Sequence, residues 1–176
     1  MNYHKIEKTS VANGTGIRVV LWVSGCSLHC KGCHNPETWS LNSGKQFDKE
    51  AKNELFKALD KPYIQGITFS GGHPLEDGNA ETIYLLIKEI KEKFSTKDIW
   101  LYTGYTLEQI FPSVVTDNLD ANRFYKQEIV KMCDVVVDGK YVEELRDITL
   151  RFAGSRNQRI IDVQKSLKEQ KIVLYN

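Results

Sequence analysis

Net charge is what this sequence has least of. Its 24 Lys and Arg residues against 23 Asp and Glu leave a formal +1 at neutral pH, which gives no electrostatic case for binding nucleic acid or an anionic membrane. Long hydrophobic runs are missing too: Ile17 to Val23, already interrupted by Arg18, is far shorter than the roughly twenty apolar residues that a membrane span requires. No low-complexity stretch, long linker or repeat divides the 176 residues. A single domain, residues 1–176, is therefore expected, long enough to bury a core without disulfides. Cysteine is scarce, with four residues in all, too few to staple a chain of this length. With no secretory signal in view, a reducing, cytoplasmic setting is expected.

Three of those four cysteines nevertheless fall within eight residues, in the string Cys26-Ser27-Leu28-His29-Cys30-Lys31-Gly32-Cys33, directly after an apolar run. Ligand counting makes the triplet informative. A 4Fe-4S cluster used only for electron transfer normally takes four thiolates, one per iron, and this loop offers three. Cys133 lies far downstream beside Val135 to Val137 and reads as a small buried hydrophobe. A cluster with three protein ligands keeps one coordination position for an exogenous molecule, as an open catalytic zinc site does. Zinc is itself the main competing reading, since the three cysteines with His29 or His34 would supply four donors. Structural zinc usually draws its ligands from two separated pairs, whereas these donors share one loop. Disulfides fit worse, because three clustered thiols leave an odd one over.

Apolar runs alternate with helical patterns along the chain, the signature of an α/β fold around a mostly parallel sheet. Right-handed crossovers would curl such a series into an open, partial (βα) barrel. The first strand is read at Arg18 to Val23, leading through Ser24-Gly25 into the cysteine loop. Ala51, Leu55 and Leu59 recur at helical spacing behind Asp48, a fitting N-cap, and Pro62 ends that helix. A strand at Gly66 to Phe69 stops at Ser70-Gly71-Gly72-His73-Pro74. The helix that follows carries an apolar stripe of Ile83, Leu86, Ile87, Ile90 and Phe94. Strands are further read at Asp98 to Thr103, Asp134 to Val137, Gln158 to Val163 and Lys171 to Tyr175. In a parallel sheet the cysteine loop, Ser70-Gly71-Gly72, Thr103-Gly104 and Asp138-Gly139 emerge at one end, where α/β folds place their chemistry. Paired glycines are common punctuation; opposite a cysteine loop, Gly71-Gly72 favours a ligand that approaches the backbone closely.

The spacing Cys-x3-Cys-x2-Cys with a downstream Gly-Gly-x-Pro resembles that of radical S-adenosylmethionine enzymes. The continuation Cys33-His34-Asn35-Pro36-Glu37-Thr38-Trp39, the Asp138-Gly139 turn followed by Glu143-Glu144-Leu145-Arg146-Asp147, and Gly154-Ser155-Arg156-Asn157-Gln158-Arg159 resemble the activating proteins of anaerobic ribonucleoside-triphosphate reductases. That resemblance implies a 4Fe-4S cluster bound through three irons by Cys26, Cys30 and Cys33, with the fourth iron chelating the amino and carboxylate groups of S-adenosyl-L-methionine. Reductive cleavage would give a 5'-deoxyadenosyl radical that takes hydrogen from a glycine of the reductase's large catalytic subunit. A low-potential electron donor such as flavodoxin is implied as a second partner. Gly71, Gly72 and His73 are expected against the methionine part, and Gly32, Cys33 and His34 near the adenosine. The alternatives are activation of another glycyl-radical enzyme, or a small radical enzyme acting on a metabolite.

Two positions depart from the wider superfamily. His73 stands where a carboxylate is usual, so the carbonyls of Gly71 and Gly72 and a neutral His73 nitrogen are the expected acceptors for the ammonium. Gly32 stands where many members have an aromatic residue, and His34 is expected to stack on the adenine instead. Arg146, Arg151, Arg156 and Arg159 form a locally basic segment, read either as a solvated face with rim salt bridges or as a surface that docks the large subunit. Trp39 is expected to pack, and His4 has no role legible in the sequence.

Overall fold

The computed structural model describes residues 1–112 and 121–176. Seven strands form one sheet in the order β3-β1-β2-β4-β5-β6-β7: β1 Asn2–Ser10, β2 Arg18–Val23, β3 Lys45–Gln46, β4 Gly66–Gly71, β5 Asp98–Tyr102, β6 Val135–Asp138 and β7 Arg159–Asp162. The central run β2, β4, β5 and β6 is parallel, while β1, β3 and β7 pair antiparallel at the two sides. The helices are α1 Lys49–Leu59, α2 Asp77–Lys93, α3 Leu107–Ile110, α4 Ala121–Met132 and α5 Val163–Glu169.

Strand alternation divides the sheet into two unlike faces. Val19, Leu21 and Val23 of β2, Ile67 and Phe69 of β4, Ile99 and Leu101 of β5 and Val136 of β6 share one core with Leu55 and Leu59 of α1, Ile83, Leu86, Ile87 and Ile90 of α2, and Ile129 and Val130 of α4. The alternate positions, among them Arg18, Thr68, Trp100, Tyr102 and Val137, face the other side. There Phe152, Ile160 and Tyr175 pack on Trp100, Val135 and Val137 as a second, smaller cluster. The helix face supplies most of the buried apolar area and hence most of the stability.

The sequence-based boundaries hold for the central elements. β2 is Arg18–Val23, and Asp48 caps α1 by accepting from the Ala51 N–H at 2.9 Å. The edges differ. β2 is the second strand of the chain, because the polar segment Asn2–Ser10 pairs along it as β1; a strand next to the sheet's edge with only Tyr3 and Ile6 packed on the core carries little apolar signal. Gln158 to Val163 shortens to β7 and runs antiparallel to β6, since no crossover helix separates them. Lys171 to Tyr175 is coil with one bridge, Ile161 to Leu174. The chain bends into α5 before it because Asp162 accepts from the Lys165 N–H.

One buried cation closes the amino end of the parallel strands. Arg18 is fully buried: its Nε donates to Thr68 Oγ1 at 2.9 Å, Nη1 to the Thr15 carbonyl at 3.0 Å and Nη2 to the Ile67 carbonyl at 2.8 Å. Nη2 also pairs with the Asp98 carboxylate, and the guanidinium lies 5.2 Å from the Trp100 ring centroid. Asp98 keeps 28% of its side chain exposed, so removing the cation falls at the low end of the cost of breaking a buried pair. Arg18→Ala should lower the unfolding free energy of the metal-free protein by about 3 kcal/mol, measured as a shifted urea midpoint at unchanged slope.

Candidate active site

Register places the site. Val23 of β2 pairs with Gly71 of β4, so the cysteine loop and the Gly71-Gly72 turn leave the sheet side by side. The Gly72 N–H donates to the Val23 carbonyl at 2.8 Å and the His73 N–H to the Gly25 carbonyl at 2.7 Å, extending strand pairing into the turn. At the base of the cysteine loop the Gly25 N–H meets the Thr38 carbonyl at 2.7 Å and the Cys26 N–H the Trp39 carbonyl at 2.9 Å. A Cβ at Gly72 would stand 2.6 Å from the Gly25 carbonyl oxygen and 3.0 Å from that of Thr38. Glycine is thus required there for the approach of two backbones. Buried Asn79 of α2 ties the same junction, its Nδ2 donating to the carbonyls of Ser24 at 2.7 Å and His73 at 3.0 Å.

Within the loop, His29 and Gly32 take left-handed backbone conformations, φ 42° and 72°, which turn the chain back twice between the thiols. The His29 ring lies 4.6 Å from that of Trp39, so Trp39 packs as expected. The Asn35 N–H points to Cys33 Sγ at 3.4 Å. Burial raises the Cys26 and Cys30 thiols above their ordinary pKa. Backbone hydrogen bonds from Leu28 and His29 at Cys26, and the Lys140 charge at Cys30, pull the other way. Across the loop, Lys31 pairs with Glu144 at 2.8 Å, and the place of a Gly32 side chain is filled by the Glu143 carboxylate, which accepts from the Tyr141 hydroxyl.

Cys26, Cys30 and Cys33 line one cleft of about 160 Å³ with Gly71, Gly72 and His73. Tyr102, Thr103, Gly104, Gly139, Tyr141 and Gln158 form its other walls, and Leu28 narrows it by reaching over Gly104. A larger groove of about 730 Å³ between α1 and α2 has no cysteine or histidine in its lining. Gly32 and His34 lie outside the cleft, both exposed, with the His34 ring 6.1 Å from that of Tyr141. His73 is 1% exposed, its Nε2 is 2.9 Å from Thr103 Oγ1 and its Nδ1 faces the Glu76 carboxylate at 3.8 Å. The ring nitrogens thus face protein groups rather than the cleft. His4, without a reading in the sequence, bonds Ser43 Oγ through Nε2 at 2.9 Å.

Cys133 is fully buried, and burial pushes its thiol far above the ordinary value. Among the described residues no three His, Cys, Asp or Glu side chains converge on a point that would hold a single metal ion. Thiolates on one tetrahedral zinc sit about 3.8 Å apart, whereas the irons of a cubane spread their thiolates wider. Three free thiols on one cleft, with backbone N–H groups directed at sulfur, are a donor set that fits such a cluster.

Sequence reasoning missed Glu76, Tyr141 and Leu28. Glu76 follows His73 by three positions, and Tyr141 follows Asp138-Gly139 at a strand end, signals too short to rise above turn chemistry. The basic segment also resolves unevenly. Arg159 is committed to the fold: Nε bonds Asp138 Oδ1 at 2.9 Å, while Nη1 and Nη2 grip the Glu108 carboxylate at 2.9 and 2.8 Å. Asp138 is buried and accepts from the Leu107 N–H at 2.9 Å. Arg156 is exposed.

Arg159→Ala should cost about 2 kcal/mol of stability through the stranded Asp138 carboxylate, and Arg156→Ala less than about 0.5. Hydrogen bonds from Arg159 hold the Glu108 carboxyl down at about 2 against its ordinary 4.5. A depressed carboxyl pKa stabilises above its unfolded value, so the wild-type advantage over Arg159→Ala should shrink as pH falls from 4.5 towards 2 in urea titrations. In the native, metal-free protein iodoacetamide should label Cys26, Cys30 and Cys33, and Cys133 only after unfolding, as read by peptide mass mapping.

Residues 12–161 match a family model described as a 4Fe-4S single cluster domain. Curated relatives include the anaerobic ribonucleoside-triphosphate reductase-activating proteins of Vibrio cholerae, 38% identical over 91% of this chain and 97% of the relative; of Enterobacteria phage T4, 42% identical over 91% and 93%; and of Escherichia coli, 38% identical over 90% and 96%. With such identity along nearly the whole of each chain, this protein belongs to the family of anaerobic ribonucleoside-triphosphate reductase-activating proteins, within a 4Fe-4S domain class.

Proposed function

We propose that Cys26, Cys30 and Cys33 hold a 4Fe-4S cluster by three of its irons, that S-adenosyl-L-methionine binds at the fourth, and that the product activates the large catalytic subunit of anaerobic ribonucleoside-triphosphate reductase. One observation carries this reading: three free thiols share a cleft with the Gly71-Gly72 turn, while the remaining cysteine is sealed in the core. When bound and reduced, the cluster supplies the electron that splits the sulfonium into methionine and a 5'-deoxyadenosyl radical, which takes a hydrogen atom from a glycine of the partner.

The chain's own residues bind, orient and exclude water. Gly71 and Gly72 offer backbone, without side chains, to the methionine part; Cys33 lines the cleft on the proposed adenosine side, with Gly32 and His34 on the exposed surface beside it. Tyr102 and Tyr141 wall the cleft, and Leu28 narrows it over Gly104. The sheet ends in β3 on one side and β7 on the other. We read its parallel core as the open partial barrel of a single domain, with the strand ends left accessible to a protein loop. Among the described residues no helix is long and apolar enough to cross a membrane. A cytoplasmic setting, with a low-potential donor such as flavodoxin, completes the proposal.

Anaerobic reconstitution should give about four irons and four sulfides per chain, and 5'-deoxyadenosine on reduction with S-adenosylmethionine. Adding the large subunit should give a glycyl radical visible by electron paramagnetic resonance. Ala at Cys26, Cys30 or Cys33 should abolish the nucleoside product, and Cys133→Ala should retain it. An iron-loaded wild type that leaves S-adenosylmethionine intact, or a Cys133→Ala protein that loses its iron, would overturn the reading.

A further inference from the structure

The end of β4 carries a second, longer connection to the cysteine loop that runs through side chains. Glu76, at the N-cap of α2, has its Oε2 2.8 Å from the Ser27 N–H and 3.0 Å from the Ser27 hydroxyl. Both of those groups donate, and Ser27 directly follows Cys26. The same oxygen lies 3.8 Å from Nδ1 of His73, a ring nitrogen that is buried and otherwise without a hydrogen-bond partner. On the far side of the ring, Nε2 meets Thr103 Oγ1 at 2.9 Å, and that hydroxyl already accepts the Tyr105 N–H at 3.1 Å.

Counting donors fixes the direction of the chain. The Glu76 carboxylate can only accept, so a neutral ring facing it carries its proton on Nδ1, and Nε2 is left to accept the one proton of the Thr103 hydroxyl, whose oxygen accepts from Tyr105. The line therefore reads Tyr105 to Thr103 to His73 to Glu76, with Ser27 donating into Glu76 from the other side. It crosses the carboxyl ends of β5 and β4 and the loop that leaves β2. The Tyr105 ring packs edge-on to His73 at 4.6 Å and fixes the imidazole plane.

We propose that Glu76 is a positioning residue that sets where Cys26 stands over the Gly71-Gly72 turn, gripping Ser27 directly and being oriented by His73 from behind. His73 is then an orienting group for a carboxylate, and its place in the site comes from that link rather than from contact with a ligand. Glu76 accepts two hydrogen bonds from Ser27, in the stretch between Cys26 and Cys30, and lies within ion-pair distance of His73 in the turn after β4. Its loss frees the first thiol and leaves the main-chain anchors at Gly25 and Cys26 in place.

The part of this inference that concerns S-adenosylmethionine rests on the proposed function; the part that concerns Cys26 does not. In the metal-free protein, Glu76→Ala should raise the iodoacetamide labelling rate of Cys26 at least fivefold, with Cys30 and Cys33 changed less than twofold and the thermal midpoint nearly unmoved. Glu76→Gln, which keeps an acceptor oxygen for Ser27, should restore the wild-type rate. In the reconstituted protein Glu76→Ala should alter the electron paramagnetic resonance signal of the reduced cluster and weaken S-adenosylmethionine binding about tenfold by isothermal titration. Equal acceleration at all three thiols together with a lower thermal midpoint would make Glu76 a general stabiliser and overturn the proposal, as would unchanged labelling of Cys26. A wild type that binds no S-adenosylmethionine would defeat the functional reading and leave the labelling result to decide the role of Glu76.

Discussion

Everything at the carboxyl end of this sheet hangs on how closely two backbones approach. The Gly25 carbonyl accepts from the His73 N–H at 2.7 Å, and a methyl group on Gly72 would collide with that same carbonyl. The cysteine loop is consequently not a flexible appendage set down beside a glycine turn. It continues the parallel pairing of β2 with β4 past the last strand residues, so the loop inherits the rigidity of the buried sheet. A segment held in advance loses less freedom when it takes up a ligand, and the base of this loop is held by main-chain hydrogen bonds whose donors and acceptors would otherwise be buried unpaired.

What could be read from the sequence follows the range of the forces involved. β2 and α1 were legible because their signals are local: a β-branched apolar run, a capping Asp48 and a stripe at helical spacing. The thiol triplet was legible because ligands held by one loop must be close in sequence. β1 was not, since a strand of mostly polar residues beside the sheet's edge forms only because β2 offers it a partner. The basic segment misled for a similar reason. Four arginines look alike along the chain, yet Arg159 is paired with Asp138 and Glu108, groups brought to it by β6 and α3. Opposite the cysteine loop, Gly71-Gly72 reads in the sequence as a turn that favours a ligand; the structure adds a further role, close backbone packing at Gly72, that no single-sequence pattern distinguishes.

The near-neutral total charge conceals a deliberate arrangement along the strand axis. At the amino end a fully buried guanidinium is satisfied by carbonyls, a hydroxyl and the Asp98 carboxylate. At the carboxyl end two carboxylates are held by protein donors, Glu76 by Ser27 and Asp138 by Arg159 and Leu107. Such groups cost desolvation energy and contribute little net stability. Their value is positional, because each fixes the direction in which a neighbouring loop leaves the sheet.

That division explains why His73 can be buried in a cleft wall. A histidine with both nitrogens facing protein groups is a poor candidate for direct ligand recognition, but a good rigid spacer between Thr103 at the end of β5 and Glu76 at the start of α2. Imidazole presents a donor and an acceptor in one plane, at a separation that a carboxylate in the same position cannot span while donating to Glu76. A carboxylate at position 73 would instead place two acceptors against each other and repel the group that grips Ser27. The residue at 73 and the residue at 76 are therefore a physical pair, and the electrostatics of one cannot be assigned without the other.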